Sequence, residues 1–509
     1  MSSHIENLSS DYIFSIIHEI ESKVPVKDWV INGVYIWPIL RLQLRPIIFE
    51  AGRQKSMKQI FFHQSDTSLA NRSFSKILQF CKGFYNFPFR RILKQHDAVL
   101  FSDGCSLDCI DDIWSDKFFR LIEDQLNDQG YRALSISPFE ISLKPLKSPL
   151  YNISIIGTGA EILTSLRIRF PFKRIHLEDY DTFIEILNRH KIPLQYFSYK
   201  EIFFKSYKIS LIEKVFSLIL NHINPSIAMI ISYYHDLGFA FNRACKKLGI
   251  PTVEIQHGTQ GGIHDAYNHW QQVPAHGYPE LPSLFWTWSQ EDALEIEKWG
   301  SKTHVAHRAF VGGNPTVEFW LSKNKTVQGY DKKIESLKQK MSANKNVIDI
   351  LVTLQPVMAF QAYWDTLAQV IQHDFGNVRW WIRNHPTTVF GNKTEGLDKI
   401  LSLKSNQVEI QESSRLPLGA LLRNMDLHIT VRSSTCLEAK FFGLKTLFIS
   451  DLVQSEHPQF LKNGDGIIIV DKQSIIQYIK NFIPDKKRLD LAEPIRSVEN
   501  LLEKISIVQ

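Results

Sequence analysis

Cysteine is scarce in this chain: five residues in 509, at positions 81, 105, 109, 245 and 436, odd in number and without a C-x-x-C pair. That scarcity excludes a disulfide scaffold and a zinc ribbon, and it fits a reducing cytoplasm. Cys105 and Cys109 stand in C-x-x-x-C spacing with no histidine pair beside them, so no metal site is expected. Also missing is any run of about 18 apolar residues, the length a membrane-spanning helix needs. The opening MSSHIENLSSDYIF lacks the basic and then apolar stretch of a secretory leader. The expectation is a protein neither exported by that route nor integral to a membrane. No short-period repeat and no low-complexity tract occurs. Hydrophobic residues at 44% and charged residues at 22% exclude a disordered, collagen-like or coiled-coil chain. What remains is an ordinary globular composition, long enough for two to four domains.

Charge is modest, +6 overall, but unevenly placed. Residues 41 to 95 carry eleven basic side chains, from Arg41 and Arg45 to Arg90, Arg91 and Lys94, against only Glu50 and Asp66. Aromatic and aliphatic residues such as Phe49, Phe61, Phe84 and Phe87 lie between them. Such a mixture suits attachment to an anionic membrane surface. It equally suits a solvated basic surface over helices whose aromatics fill a core. Nucleic acid is not an expected partner, because no zinc-finger, KH or RNP-like signature accompanies the patch.

From about residue 97, short β-branched or aromatic runs alternate with helix-like stretches, the signature of βαβ units and a parallel sheet. Strands are predicted at 97–102, 131–137, 227–234, 252–257 and 285–289. Residues 322 to 346 are polar and lysine-rich and read as a linker with an exposed helix. Alternation restarts with strands predicted at 347–354, 378–385, 408–411, 426–431, 445–450 and 466–470. The expected division is therefore a helical, basic region over 1–95, a Rossmann-like α/β domain over 96–325, a second over 326–483 and a terminal helix over 484–509. Two doubly wound domains would leave a cleft between two sets of strand carboxyl ends, where such sheets bind ligands.

The polar loops fall at those strand ends. Gln256-His257-Gly258-Thr259 places an imidazole where glycines allow close backbone approach, with His264 and Asp265 in reach. His257 is a candidate general base or phosphate partner; the plainer alternative is a glycine turn whose histidine bonds backbone. In Arg383-Asn384-His385-Pro386 the proline biases His385 toward an extended conformation, which presents the imidazole, and Arg383 adds a fork of donors. Arg432-Ser433-Ser434-Thr435 gathers an arginine, hydroxyls and free N–H groups at a helix start, which suits an anion, although Thr435-x-x-Glu438 also reads as a capping box. Asp103 follows the strand at 97–102 and is a candidate to take a proton from an attacking hydroxyl, unless Asp103-Gly104 is only a turn. Gly313-Asn314-Pro315 reads as a turn shaping the cleft.

In this order the loops resemble the GT-B glycosyltransferase architecture, and in particular the enzymes of bacterial surface-polysaccharide synthesis. That group includes CMP-sugar (Kdo or sialic acid) transferases and CDP-glycerol glycerophosphotransferases. The residues that carry the resemblance are His257-Gly258-Thr259, Gly313-Asn314-Pro315, the R-x-H-P of Arg383 to Pro386, and the D-x-x-I-T-x-x-S-S-x-x-x-E of Asp426 to Glu438, spread over roughly residues 97 to 475. The resemblance implies that His385, Ser433 and Ser434 grip the donor phosphate and that Glu438 lies near the ribose, in a donor site that also includes Arg383, Pro386, Arg432 and Thr435. It implies that the N-terminal half holds the acceptor, around Gln256, Gly258, Thr259, His264, Gly313 and Asn314; Asp103 is the first candidate for the base and His257 the second. No cofactor or divalent metal is implied, because positive groups and a helix dipole would offset the leaving-group charge. The function implied is inverting transfer of a Kdo- or sialic-acid-like sugar from a CMP-linked nucleotide-sugar to a capsule or O-antigen glycan, free or lipid-linked, by a cytoplasmic protein peripheral on the inner membrane. Two rivals share these residues: a CDP-linked polyol-phosphate transferase and a non-catalytic GT-B-like scaffold of polysaccharide assembly. A nucleotide-sugar 2-epimerase has the same architecture but no need of a membrane-facing segment.

Overall fold

The computed structural model describes residues 10–52, 81, 85, 87–141, 143–166, 176–260, 264–304, 306–341, 347–355, 360–385, 397–484 and 497–508. Contacts within the chain divide it into two compact units. The first holds Met1–Gly104, Ile122–Gly313 and Ser497–Gln509; the second holds Cys105–Leu121 and Asn314–Arg496. These bounds differ from the expected 96–325 and 326–483 in three ways. The N-terminal helices and the terminal helix both belong to the first unit, a segment of the first half belongs to the second, and the division falls at 313/314.

Each unit is built on one parallel sheet. The first has strands β1 (Ala98–Phe101), β2 (Ala133–Ser137), β3 (Leu150–Asn152), β4 (Ile227–Ile230), β5 (Thr252–Ile255), β6 (Leu284–Thr287) and β7 (Arg308–Val311), in the spatial order β7-β6-β5-β4-β1-β2-β3. The second has β8 (Ile348–Thr353), β9 (Val378–Arg383), β10 (Val408–Glu409), β11 (Leu427–Thr430), β12 (Lys445–Phe448) and β13 (Gly466–Ile468), in the order β10-β9-β8-β11-β12-β13. In both, the first strand sits centrally and the chain winds outward on one side and then the other, the doubly wound order expected from the sequence. Central strands such as β1, β4, β5, β8 and β11 are buried throughout. Strands covered on both faces therefore read as near-continuous apolar runs. Order reverses between β1 and β4 in one unit and between β8 and β11 in the other, and these switch points are where such sheets open a crevice.

Two N-terminal helices, α1 (Ser10–Lys23) and α2 (Trp37–Gly52), pack into the core of the first unit through Ile13, Ile17, Ile20, Trp37, Leu40 and Leu44. Around its sheet lie α3 (Ser154–Leu166), α4 (Tyr199–Ile223) and α5 (Asp236–Lys247). In the second unit the tract expected as a linker is α6 (Lys325–Lys340), capped by Asn324 and packed through Val327 and Ile334. Its Lys338 pairs with the buried Asp349 at 2.8 Å. The helix α7 (Thr435–Phe441) follows β11. Among the described residues no helix is long and apolar enough to cross a membrane.

Candidate functional site

At the switch point of the first unit, β4 stops at Ile230 rather than running on to 234, because Ser232 adopts the left-handed region at φ 59° and turns the chain off the sheet. Helix α5 begins at Asp236, and a Cβ added to Gly238 in its first turn would lie 2.3 Å from the Tyr233 carbonyl, so only glycine lets turn and helix approach this closely. His235 caps the helix: its Nδ1 accepts the Gly238 N–H at 3.1 Å. Burial pushes its pKa down to about 4, and an accepting Nδ1 leaves the ring proton on Nε2.

His257 follows β5 and leans over this turn. Its Nε2 lies 2.9 Å from Ser232 Oγ and 3.1 Å from the Tyr234 hydroxyl. Its Nδ1 faces acceptors instead, the Ile255 carbonyl at 3.4 Å and Glu254 Oε1 at 4.0 Å. The tautomer with its proton on Nδ1 satisfies both sides, and it leaves the Nε2 lone pair among hydroxyls, the disposition of a general base. Glu254 is fully buried, accepts the Tyr267 hydroxyl at 2.6 Å, and burial pushes its carboxyl well above the usual range. Asp103, after β1, exerts its charge on Tyr234 and His235. Asp103, Ser232, Tyr234, His235 and His257 thus share the carboxyl ends of three adjacent strands.

The other predicted residues of this unit build the loop rather than face a ligand. Gln256 is buried, donating to the Gly258 carbonyl at 3.0 Å and to Asp292 at 3.1 Å and accepting the Trp288 N–H at 2.6 Å, so its amide braces the turn and is not a cleft group. Gly258 and Thr259 are half-buried just past it. His264 lies against the rings of Tyr267 and Tyr234, 4.9 Å and 5.4 Å between centroids, and burial holds its pKa down at about 4. The Gly313 carbonyl accepts the Trp286 indole N–H at 2.8 Å. Asn314 caps the helix Pro315–Leu321 through the N–H groups of Thr316 and Val317, so this turn is anchored at both residues.

Arg41 and Arg45, counted in the basic tract, support the same loop from α2. Arg41 is fully buried, paired with Glu21 at 2.8 Å, and it donates to the carbonyls of Asp265 and Asn268. Arg45 pairs with Asp265 at 2.5 Å. A charge tally along the sequence cannot see that these two guanidiniums point inward. Of the tract's other basic residues, Arg53, Lys55, Lys58, Arg72, Lys76 and Lys82 lie outside the described residues, while Arg90, Arg91 and Lys94 are exposed.

In the second unit the Arg432 N–H donates to Gln355 Oε1 at 3.0 Å, joining the loops after β11 and β8 across the switch point. Next to them, after β9, His385 is half-buried; burial, then the nearby Arg383 and Lys117, hold its pKa down, so the ring is neutral at pH 7. Arg383 does not present a free fork: its Nη1 donates to the Ser413 carbonyl at 2.7 Å and to that of Leu416, tying down the adjacent segment. Pro386 lies outside the described residues. Ser433 donates to Thr435 Oγ1 at 3.0 Å and accepts the Thr435 N–H at 3.3 Å, while Ser434 is exposed at the helix start with no side-chain cap bond. The capping box does not form, because Thr435 is already inside the helix and Glu438 is buried, 3.5 Å from Lys117 Nζ.

Lys117 comes from a region the sequence reading left blank. Leu107–Ile110 and Ile113–Asp116 form an antiparallel hairpin within the second unit, turned by Asp111 and Asp112, both at positive φ. It brings Asp108 and Lys117 toward Arg383, His385 and Glu438; burial raises the Asp108 carboxyl against the pull of Arg383, Lys117 and Arg120. The signal was present, two alternating runs about a two-residue Asp-Asp turn, which is a hairpin pattern. For Ser232 and Tyr234 there was none, since IAMIISYY reads as one strand. Among the described residues no group of three or more His, Cys, Asp or Glu side chains is placed to hold a metal ion.

No protein-family model matches the chain, and no curated protein sequence matches it. Solved structures do resemble it in chain course. The UDP-GlcNAc 2-epimerase of Methanocaldococcus jannaschii aligns with 81% of this chain and 99% of its own at 13% identity and a TM-score of 0.46. That of Neisseria meningitidis bound to UDP-GlcNAc gives the same coverage at 14% and 0.45. A structure of the wall teichoic acid polymerase TagF covers 87% of this chain and 98% of its own at 13% and 0.42. Likeness at this level concerns the path of the backbone and not the chemistry.

Proposed function

We propose that the chain is an inverting, metal-independent glycosyltransferase that moves a Kdo- or sialic-acid-like sugar from a CMP-linked donor to a hydroxyl of a capsule or O-antigen glycan. The observation that carries this reading is His257, its Nε2 lone pair set among hydroxyls at a topological switch point. An acceptor hydroxyl entering there replaces the Ser232 or Tyr234 contact and gives its proton to Nε2 as its oxygen bonds the anomeric carbon. The bond from that carbon to the donor phosphate breaks, and CMP leaves with the electron pair. Asp103, two strands away, exerts its charge on the neighbouring Tyr234 and His235, and His257 is the residue we assign as the base.

In the second unit the donor phosphate would lie over the loops after β8, β9 and β11. The Arg432 guanidinium, the neutral His385 ring and the exposed Ser434 hydroxyl supply donors there, with Lys117 adding positive charge. Glu438, held by Lys117, sits one helical turn from Ser434 and is the residue we assign to the ribose side.

Mass analysis of the product formed from a CMP-linked sugar tests the reading. Addition of one sugar with release of CMP supports it, and the same rate in the presence of a chelator supports metal independence. Addition of a polyol phosphate from a CDP-linked donor would replace it, and no transfer from either donor would leave a scaffold.

A further inference from the structure

Helix α4 is apolar on two faces. One carries Ile209, Ile212, Phe216, Leu220 and Ile223 into the core. On the groove side Leu211 and Ile219 are half-buried at the edge of that core, while Val215 and Leu218 are exposed. Apolar residues on a helix ordinarily face a core, yet Leu218 here is 75% exposed and Leu163 on the neighbouring α3 is 53% exposed. Between the two helices runs an apolar groove of about 700 Å³, which Phe87 and Leu93 close at one side. Isolated exposed leucines need no explanation, but a contiguous apolar hollow of this size marks a binding surface.

The rim selects the occupant. Lys214 and His222 of α4 line the groove and are exposed. Arg90, Arg91 and Lys94 are exposed in the short stretch bearing Phe87 and Leu93. The acidic residue of α3, Glu161, is taken up by Lys208 at 2.9 Å. An apolar floor inside a cationic collar matches acyl chains beneath anionic headgroups.

We propose that the groove between α3 and α4 seats the acyl chains of an anionic bilayer surface, with Arg90, Arg91, Lys94 and Lys214 against the headgroups. The site lies within the first unit and is independent of the transferase reading, since it needs no nucleotide and no turnover.

Flotation with vesicles tests it. The full chain is expected to float with vesicles of phosphatidylglycerol and phosphatidylcholine, to do so much less with phosphatidylcholine alone, and to release as salt is raised. Leu218→Asp, and separately Leu163→Asp, should each cut the bound fraction about tenfold or more, the equivalent of one buried leucine side chain. Both residues are exposed, so their thermal unfolding should match the parent. Absence of flotation overturns the proposal. So does flotation that neither substitution weakens, which would place attachment elsewhere. A dimer in light scattering that Leu218→Asp splits, with no vesicle binding, would make the occupant a second copy and equally overturn it.

Discussion

An imidazole serves as a base only if one ring nitrogen keeps its lone pair and that lone pair faces the proton to be taken. Around His257 this is arranged by neighbours from two adjacent strands, β5 and the turn after β4: acceptors on the Nδ1 side, hydroxyls on the Nε2 side. His257→Ala should lower the transfer rate by about 10²–10⁴-fold, the usual worth of a positioned base. Glu254 makes a second prediction. Its burial raises the carboxyl and so favours the neutral form, which glutamine imitates; Glu254→Gln should leave the rate near that of the parent, whereas a large loss would show that the ionised form is used. His428 provides a third, in the second unit. It is fully buried between Thr353 and Thr446, and burial pushes its pKa from 6.5 to about 3. Below about pH 6.5 the unfolded chain takes up a proton that the folded chain refuses, so the parent loses stability as pH falls toward 3. Urea unfolding of parent and His428→Gln should show the parent's advantage shrinking by about 1.4 kcal/mol per pH unit across that window. At this scale the sequence was a partial guide. It named His257, His385 and Ser434 alongside Gln256 and Arg383, and it could not tell that the last two spend their polar atoms on neighbouring groups, because that depends on loops distant in sequence.

Elements were legible where hydrophobic pattern alone decides. Both parallel sheets were marked by runs of β-branched and aromatic residues, and the predicted strands are present, whereas the edge strands β3 and β7 had not been predicted. The exceptions have physical reasons. Helix α6 carries Val327, Tyr330, Ile334, Leu337 and Met341 at alternating spacings of three and four, an apolar stripe that its many lysines mask in a composition count. The hairpin Leu107–Asp116 is short and half-polar, and it belongs to the unit whose remaining residues follow two hundred positions later, so nothing nearby in sequence announces its packing. The turn after β4 depends on Gly238. Replacing it with alanine forces a Cβ to within 2.3 Å of the Tyr233 carbonyl. The resulting shift should cost about 1–3 kcal/mol in urea unfolding and should also displace Ser232 and Tyr234 from His257, lowering activity at temperatures where the fold persists.

For the whole molecule, the sequence conveyed two doubly wound units but not how the chain is shared between them. The N-terminal helices are part of the first unit's core, and Arg41 is their tie to the histidine loop. Arg41→Ala leaves Glu21 buried without its partner and should destabilise the first unit by about 3–5 kcal/mol, while replacing both with apolar residues of similar volume should restore most of that loss in thermal unfolding. We assign proton transfer to the first unit and donor-phosphate binding to the second. Calorimetric titration of CMP into the parent, His257→Ala and His385→Ala tests that division most directly. CMP should bind the parent and His257→Ala alike and bind His385→Ala at least about tenfold more weakly, as loss of one hydrogen-bond donor to a charged group predicts. No binding of CMP to the parent, or an equal loss in both variants, would contradict it.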